Sequence, residues 1–355
     1  MSIASIARKE LRGLAPYSAA EQVEDTIRLN ANEAPWPSGD GRFRRPLNRY
    51  PEIRPVRLRE SLALHYGVAA GNLLVTRGSS EAIDLLVRVF CRAGRDSVVT
   101  PAPTFSMYRH YARIQDAAIR EVPLTRAADF AVSADRVLAR CDDTTRLVFL
   151  CSPNNPTGTE LPAETLVDVL AGLSGRAAVV VDEAYAEYSA GPSAIALQDA
   201  HDNLLVLRTL SKALGYAGAR CGAVIAPREV VDMLDAVQAP YALATPVVEC
   251  IEDVLTPAGL RAAAGRVAAT VAERRRLAAG LESLPAVRRV FPSGANFLLV
   301  ELRDAPAALA RTRADGILIR HFGGELADCV RITVGLPVEN ERLLDSLRKL
   351  PGEQT

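Results

Sequence analysis

The chain has 355 residues, with 42 lysines and arginines against 42 aspartates and glutamates, and it is 49% hydrophobic and 24% charged. That length buries a large core and predicts about two domains, while zero formal net charge removes the broad electrostatic argument for nucleic acid or an anionic membrane as the main partner. Met1–Glu10 holds no apolar stretch of signal-peptide length and no uncharged apolar run of about 18 residues follows it, so the expectation is a soluble cytoplasmic protein acting on small molecules.

In chain order, the first forty residues are weakly periodic, and Ala-Pro-Trp-Pro-Ser-Gly-Asp-Gly at 34–41 breaks any regular element, which predicts an arm with a loop. Beyond it, short Val/Ile/Leu-rich runs alternate with longer amphipathic segments, the pattern of βαβ units around a mostly parallel sheet. The pattern predicts a helix over Ser79–Cys91, strands near Ser97–Thr100 and Leu147–Cys151, and a helix over Pro162–Leu173. Strands follow at Ala177–Asp182, Leu204–Leu207 and Cys221–Ile225, then a helix over Pro227–Val237. A long helical stretch runs from Pro246 to about Leu281, broken or kinked at Pro257. The remainder predicts a smaller α+β unit, with strands at Ala295–Leu302, Ile317–Arg320 and Val330–Val334 and helices over Pro306–Ala314 and Val338–Leu350. The expected organisation is an α/β chain with an arm (1–45), a large domain (46–260) and a small C-terminal domain (261–355).

Four segments carry chemistry. In Leu207-Arg208-Thr209-Leu210-Ser211-Lys212-Ala213-Leu214-Gly215-Tyr216-Ala217-Gly218-Ala219-Arg220, a lysine after an apolar strand is flanked by hydroxyls and followed by an arginine, which groups amine, hydroxyls and guanidinium around one anion. Val179-Val180-Val181-Asp182-Glu183-Ala184-Tyr185 ends a buried strand with a carboxylate, where α/β sheets place ligands. Cys151-Ser152-Pro153-Asn154-Asn155-Pro156-Thr157-Gly158 ends another with amides and turn residues. Arg77-Gly78-Ser79-Ser80-Glu81-Ala82 opens a helix whose N–H groups can hold a phosphate. The six cysteines and four histidines are dispersed, predicting reduced core thiols and no metal site.

Taken together, Ser-Pro-Asn-Asn-Pro-Thr-Gly, Asp-Glu-Ala-Tyr and Thr-Leu-Ser-Lys resemble the fold-type I, class I/II pyridoxal-phosphate aminotransferases, and within them the histidinol-phosphate aminotransferases. The resemblance runs from Leu14-Ala15-Pro16-Tyr17 and Leu29-Asn30-Ala31-Asn32-Glu33, through Asn48-Arg49-Tyr50-Pro51-Glu52, to Val330-Arg331-Ile332-Thr333-Val334-Gly335. It implies a large domain with a mixed, mostly parallel central sheet flanked by helices, beside a smaller α+β domain. It also implies pyridoxal 5'-phosphate as cofactor, held covalently by Lys212, which then shuttles the substrate α-proton. Asp182 would pair with the pyridine nitrogen, Asn155 and Tyr185 would contact the phenolic oxygen, and Asn154 would be turn scaffolding. Phe105 would stack on the ring, where many relatives have tyrosine. Ser79, Ser80, Thr209, Ser211 and Arg220 would hold the phosphate, joined by Tyr50 from the neighbouring subunit of a homodimer.

For the substrate, the resemblance points to Arg331, assisted by Arg320, Tyr17 and Asn32, as the clamp for a phosphate or carboxylate. The segment between the two arginines is shorter than in many relatives, as is the arm at 36–46. The implied reaction exchanges the amino group between L-histidinol phosphate and 2-oxoglutarate by a ping-pong route in histidine biosynthesis. Aromatic amino-acid transamination and threonine-phosphate decarboxylation remain open on the same residues.

Overall fold

The computed structural model of the chain describes residues 2–17, 22, 28–36, 41 and 43–350, so positions 37–40 of the expected arm loop lie outside the described residues. Short 3₁₀ turns at Ile3–Ile6 and Lys9–Leu11 precede the first helix, α1 (Val56–Tyr66). The order then runs β1 (Leu73–Thr76), α2 (Gly78–Phe90), β2 (Ser97–Ala102), α3 (Met107–Ile114), β3 (Ala118–Pro123), α4 (Ala134–Leu138), β4 (Thr145–Cys151) and α5 (Ala163–Gly172). Next come β5 (Ala178–Asp182), β6 (Leu204–Thr209), β7 (Gly222–Ile225), α6 (Arg228–Val237), α7 (Thr245–Glu252) and α8 (Pro257–Glu282). The chain closes with β8 (Val287–Val290), β9 (Phe297–Leu302), α9 (Ala305–Ala314), β10 (Arg320–His321), β11 (Cys329–Thr333) and α10 (Pro337–Arg348).

Seven strands form one sheet in the order β1-β7-β6-β5-β4-β2-β3, and four form a second in the order β10-β11-β9-β8. In the large sheet the pairs from β3 through β6 are parallel, and β7 runs antiparallel to both of its neighbours. Its central strands are apolar throughout because both faces are covered. Val148 and Leu150 of β4 pack with α1, α5 and α7 on one side, and Leu147 and Phe149 pack with α2, α3 and α6 on the other. The small sheet buries Leu298, Val300, Val330 and Ile332 against α8 and α10. Helix α8 touches both cores, through Ala263 at one end and Leu277 and Leu281 at the other.

The long helical stretch predicted from Pro246 to Leu281 is broken just before Pro257 into two helices, α7 and α8. Pro257 opens α8, and the Thr256 side chain accepts from the Gly259 N–H at 3.1 Å, so a proline and a cap together start a new helix. Three strands escaped the sequence reading, β1, β3 and β8, and the strand expected at Ile317–Arg320 shrinks to Arg320–His321. All four lie at sheet edges; in β3 and β8 charged residues such as Arg120, Glu121, Arg288 and Arg289 are tolerated and the apolar run is lost, whereas β1 keeps a short apolar run, Leu73–Val75. Helices α1, α3 and α4 were also missed.

Behind the carboxyl end of the large sheet lies a buried ion-pair network. Arg208 of β6 donates to Glu183 at 2.6 Å and to Glu187 at 2.8 Å, with its guanidinium 4.9 Å from the centre of the Tyr66 ring. Ser193 and the Ala194 N–H also donate to Glu183, each at 2.6 Å. This network ties the segment after β5 to β6. Replacing Arg208 with leucine would leave the Glu183 carboxylate buried without its cation, and should cost about 3–5 kcal/mol in urea unfolding. A loss under about 1 kcal/mol would show that the network is not what holds this corner.

Candidate active site

The carboxyl ends of β4, β5 and β6 lie side by side, because these strands are neighbours and parallel. Cys151 is opposite Asp182, and Asp182 opposite Leu207. The three chemistry-bearing loops recognised in the sequence therefore meet at one edge, and α2 starts nearby after β1. An α/β sheet offers a ligand crevice at this position.

Asp182, only 2% exposed, is the centre of this edge. Its Oδ2 accepts from the Tyr108 hydroxyl at 2.8 Å and its Oδ1 from the Ala184 N–H at 3.2 Å, and it makes no ion pair among the described residues. Burial pushes its carboxyl up to about 6, against the pull of the Tyr108 hydrogen bond. The Lys212 amine is held below the usual lysine range, first by burial and then by the charges of Arg331 and Arg220. Its Nζ lies 5.6 Å from the centre of the Tyr185 ring.

The small sheet supplies the opposite wall. Arg331 of β11 donates to Oδ1 of Asn155, and its guanidinium lies 5.3 Å from the Phe297 ring centre and 5.9 Å from that of Phe322. Phe297 in turn meets the Tyr185 ring edge-on at 5.2 Å. Arg320 is directly opposite Arg331 across β10 and β11, and its guanidinium also lies against Phe322, at 5.9 Å. Neither arginine forms an ion pair with a carboxylate among the described residues. Asn154 is the scaffold expected from sequence: its amide is consumed by Thr104 at 2.6 Å, Pro103 at 3.0 Å and Thr157 at 2.8 Å.

At the start of α2 the backbone is built for close approach. Gly78 has φ +74°, and a Cβ there would stand 2.8 Å from Nη2 of Arg220. Arg220 itself adopts a left-handed conformation, and its Nη1 is 3.4 Å from the Ser211 hydroxyl. The Thr209 hydroxyl is 3.0 Å from that of Ser211 and accepts from the Ser211 N–H at 3.2 Å. Ser79 and Ser80 occupy the first turn of α2, where N–H groups lack intrahelical acceptors. This cluster can hold a phosphate.

Not every expected residue joins the site within one chain. Tyr17 is 58% and Tyr50 50% exposed, and Tyr50 stacks on Tyr241 at 4.7 Å. The Tyr50 N–H donates to Glu33 at 2.8 Å. Asn32 is exposed, with φ 54°. Among the described residues none of these three contacts Lys212, Asp182 or Arg331. Phe105 stands beside the site, edge-on to Tyr108 at 5.7 Å. Sequence reasoning gave no role to Tyr108 or Phe297; each is an ordinary core aromatic in its own segment, and only the fold brings it to the site. No group of His, Cys, Asp and Glu side chains able to hold a metal occurs among the described residues.

The Asp182 carboxyl makes a testable link to stability. Its pKa is raised from 3.8 to about 6 in the fold, so the folded chain keeps a proton that the unfolded chain releases. Stability of the ligand-free protein should fall as pH rises from about 4 to about 6, by up to roughly 3 kcal/mol. Urea midpoints measured across that range should lose this slope in Asp182→Asn, and an equal slope in both proteins would contradict the assignment.

Residues 25–347 match the family model for aminotransferase class I and II. The chain is 45% identical to histidinol-phosphate aminotransferase from Stenotrophomonas maltophilia (strain R551-3), covering 97% of this chain and 96% of the relative. It is 44% identical to the Xylella fastidiosa (strain 9a5c) protein of the same name, covering 98% and 97%. Among solved structures, histidinol-phosphate aminotransferase from Sinorhizobium meliloti in complex with pyridoxal-5'-phosphate has a TM-score of 0.78 at 26% identity, over 85% of this chain and 83% of that one. The Clostridium acetobutylicum histidinol-phosphate aminotransferase, with a TM-score of 0.77 at 21% identity over 85% and 90%, shares the fold. With its sheet order, its loops at one strand edge and its near full-length similarity to these relatives, the chain belongs to the class I and II aminotransferases.

Proposed function

We propose that this chain exchanges the amino group between L-histidinol phosphate and 2-oxoglutarate by a ping-pong route in histidine biosynthesis, using pyridoxal 5'-phosphate. The observation that carries the substrate is the pair Arg320 and Arg331, opposed across two strands with no carboxylate ion-paired to either among the described residues. Like charges placed directly opposite repel, so the pair favours an anion between or beside them. L-Histidinol phosphate brings a phosphate and glutamate brings carboxylates, and one pair of guanidiniums can serve both. The names of the full-length relatives support the same choice.

The residues fit the cofactor. Among the described residues Asp182 is a buried carboxylate without an ion-pair partner, which a protonated ring nitrogen would supply. The absence of a side chain at Gly78 lets the Arg220 guanidinium lie against the start of α2, where it can join the α2 N–H groups, Thr209 and Ser211 as donors to a phosphate. Bound there, pyridoxal phosphate supplies the electron sink for charge developing at the substrate α-carbon. Asp182 holds a proton at the ring nitrogen. Lys212 would hold the cofactor through its amine and would carry the α-proton between substrate and cofactor; its lowered pKa favours the neutral amine that takes up a proton. Because Asn155 accepts from Arg331 through Oδ1, its Nδ2 is free to donate, alongside the Tyr185 hydroxyl, to the ring oxygen. Phe105 would cover the ring face.

We further propose that the enzyme works in the cytoplasm as a homodimer, with Tyr50 reaching the phosphate of the partner and Tyr17 and Asn32 bordering the substrate. The exposure of Tyr17 and Tyr50 in the single chain supports this, and no helix among the described residues is long and apolar enough to cross a membrane. The division into an arm (1–45), a large domain (46–260) and a small domain (261–355) is supported by the separate core that begins at Leu277.

Borohydride reduction of the cofactor-loaded protein followed by digestion should tag the peptide that contains Lys212; a tag elsewhere would overturn the assignment. Lys212→Ala should lower transamination by at least about a thousandfold with the fold retained. Arg331→Ala should raise KM for both amino donor and oxoacid by about tenfold or more, the scale of a charged hydrogen bond, and unchanged saturation would refute the clamp. In a donor panel, turnover of phenylalanine or threonine phosphate without turnover of L-histidinol phosphate would replace the proposed substrate.

A further inference from the structure

Tyr108 lies in α3, completely buried, and nothing in the mechanism above uses it. Its ring is stacked on Phe149 at 4.8 Å with 7° between the planes, and Phe105 meets it edge-on. A phenylalanine would fill that packing site equally well. A buried hydroxyl is costly unless bonded, and it has a single proton to donate. That proton goes to Oδ2 of Asp182, while Oδ1 takes the Ala184 N–H. Each carboxylate oxygen is therefore tied by one donor and keeps lone-pair capacity for another, and the plane of the group is set by the sheet edge on one side and α3 on the other.

We infer that Tyr108 is a positioning residue for the cofactor, its hydroxyl keeping the Asp182 carboxylate ionised and oriented so that a free lone pair meets the protonated ring nitrogen. This rests on the reading of Asp182 given above. The energetic sense follows from the surroundings. Burial drives the carboxyl toward its neutral form, and the Tyr108 hydrogen bond is the largest influence opposing it. Lys212 acts on Asp182 only as a more remote charge. Without the hydroxyl, the acid would bind its own proton more readily and would discriminate less sharply between a ring with a nitrogen and one without.

The test compares affinity for pyridoxal 5'-phosphate with affinity for its 1-deaza analogue, in which a C–H replaces the ring nitrogen. Equilibrium dialysis on the cofactor-free full chain gives the ratio for wild type, Tyr108→Phe, Asp182→Asn and the double variant. Tyr108→Phe should reduce the preference for the natural cofactor by about tenfold, the scale of a hydrogen bond to a charged group. In the Asp182→Asn background the same substitution should change it less than about twofold, because coupled residues are not additive. If Tyr108→Phe keeps the wild-type preference while Asp182→Asn abolishes it, Tyr108 is only a core aromatic and the inference is overturned. If Asp182→Asn leaves the preference intact, the reading of Asp182 itself fails and takes this one with it. Should the phenylalanine variant not fold, 3,5-difluorotyrosine at position 108 keeps the ring while altering its hydroxyl, and an unshifted preference there would equally overturn the inference.

Discussion

The rest of the site is organised around one buried carboxylate. Asp182 ends the central strand of the large sheet, in surroundings that favour its neutral form, and the described residues provide two hydrogen-bond donors but no ion-pair partner. A charge in that position is expensive unless something else completes it. The aromatic packing of Phe149, Tyr108 and Phe105 on one side, and the turn at Ala184 on the other, hold the group in one orientation.

Around this single acid the cations are arranged in two groups. Arg220 sits with Ser211 at the start of α2, and Arg331 and Arg320 come from the small sheet. Lys212 stands between, its amine destabilised as an ammonium by burial and by arginines from both groups. The positive charge gathered here is a local feature of a chain that carries no formal net charge. It suits a cofactor and substrates that carry phosphate or carboxylate. Arg208, by contrast, is a cation spent on structure: Glu183 and Glu187 neutralise it behind the site, which leaves the neighbouring Asp182 free of it.

Coupling between the two sheets passes through side chains as well as through α8. The Asn155 amide at the end of β4 receives Arg331, and Phe297 of the small sheet lies against both Tyr185 and Arg331. Farther out, Arg126 donates to Asp328 at 2.7 Å, and this hydrogen bond, aided by the arginine's charge, holds the Asp328 carboxyl down at about 2. Movement of the small sheet relative to the large one would therefore carry the arginine pair and alter its contact with the Asn155 amide.

The central strands and the long amphipathic helices were legible in the sequence because both sheet faces are buried and the apolar runs are unbroken; Val179-Val180-Val181 can hardly be anything else. So were the short segments that bear Lys212, Asp182, Asn155 and Arg220, since each lies at the end of a readable strand or just after it. The edge strands β3 and β8 were not legible, because an edge needs no continuous apolar run, and β1 was not because its run, Leu73–Val75, is too short to tell from other structure. Nor were Tyr108 and Phe297, whose local patterns are those of any core aromatic. By itself the sequence determined which residue types are available and which strand ends bear them, because those follow from periodicity and local order. Only the tertiary structure decided that Arg320 faces Arg331, that Phe297 joins Tyr185, and that the Tyr108 hydroxyl finds Asp182 74 residues away. Contacts of that kind depend on strand order and register, which no local pattern encodes.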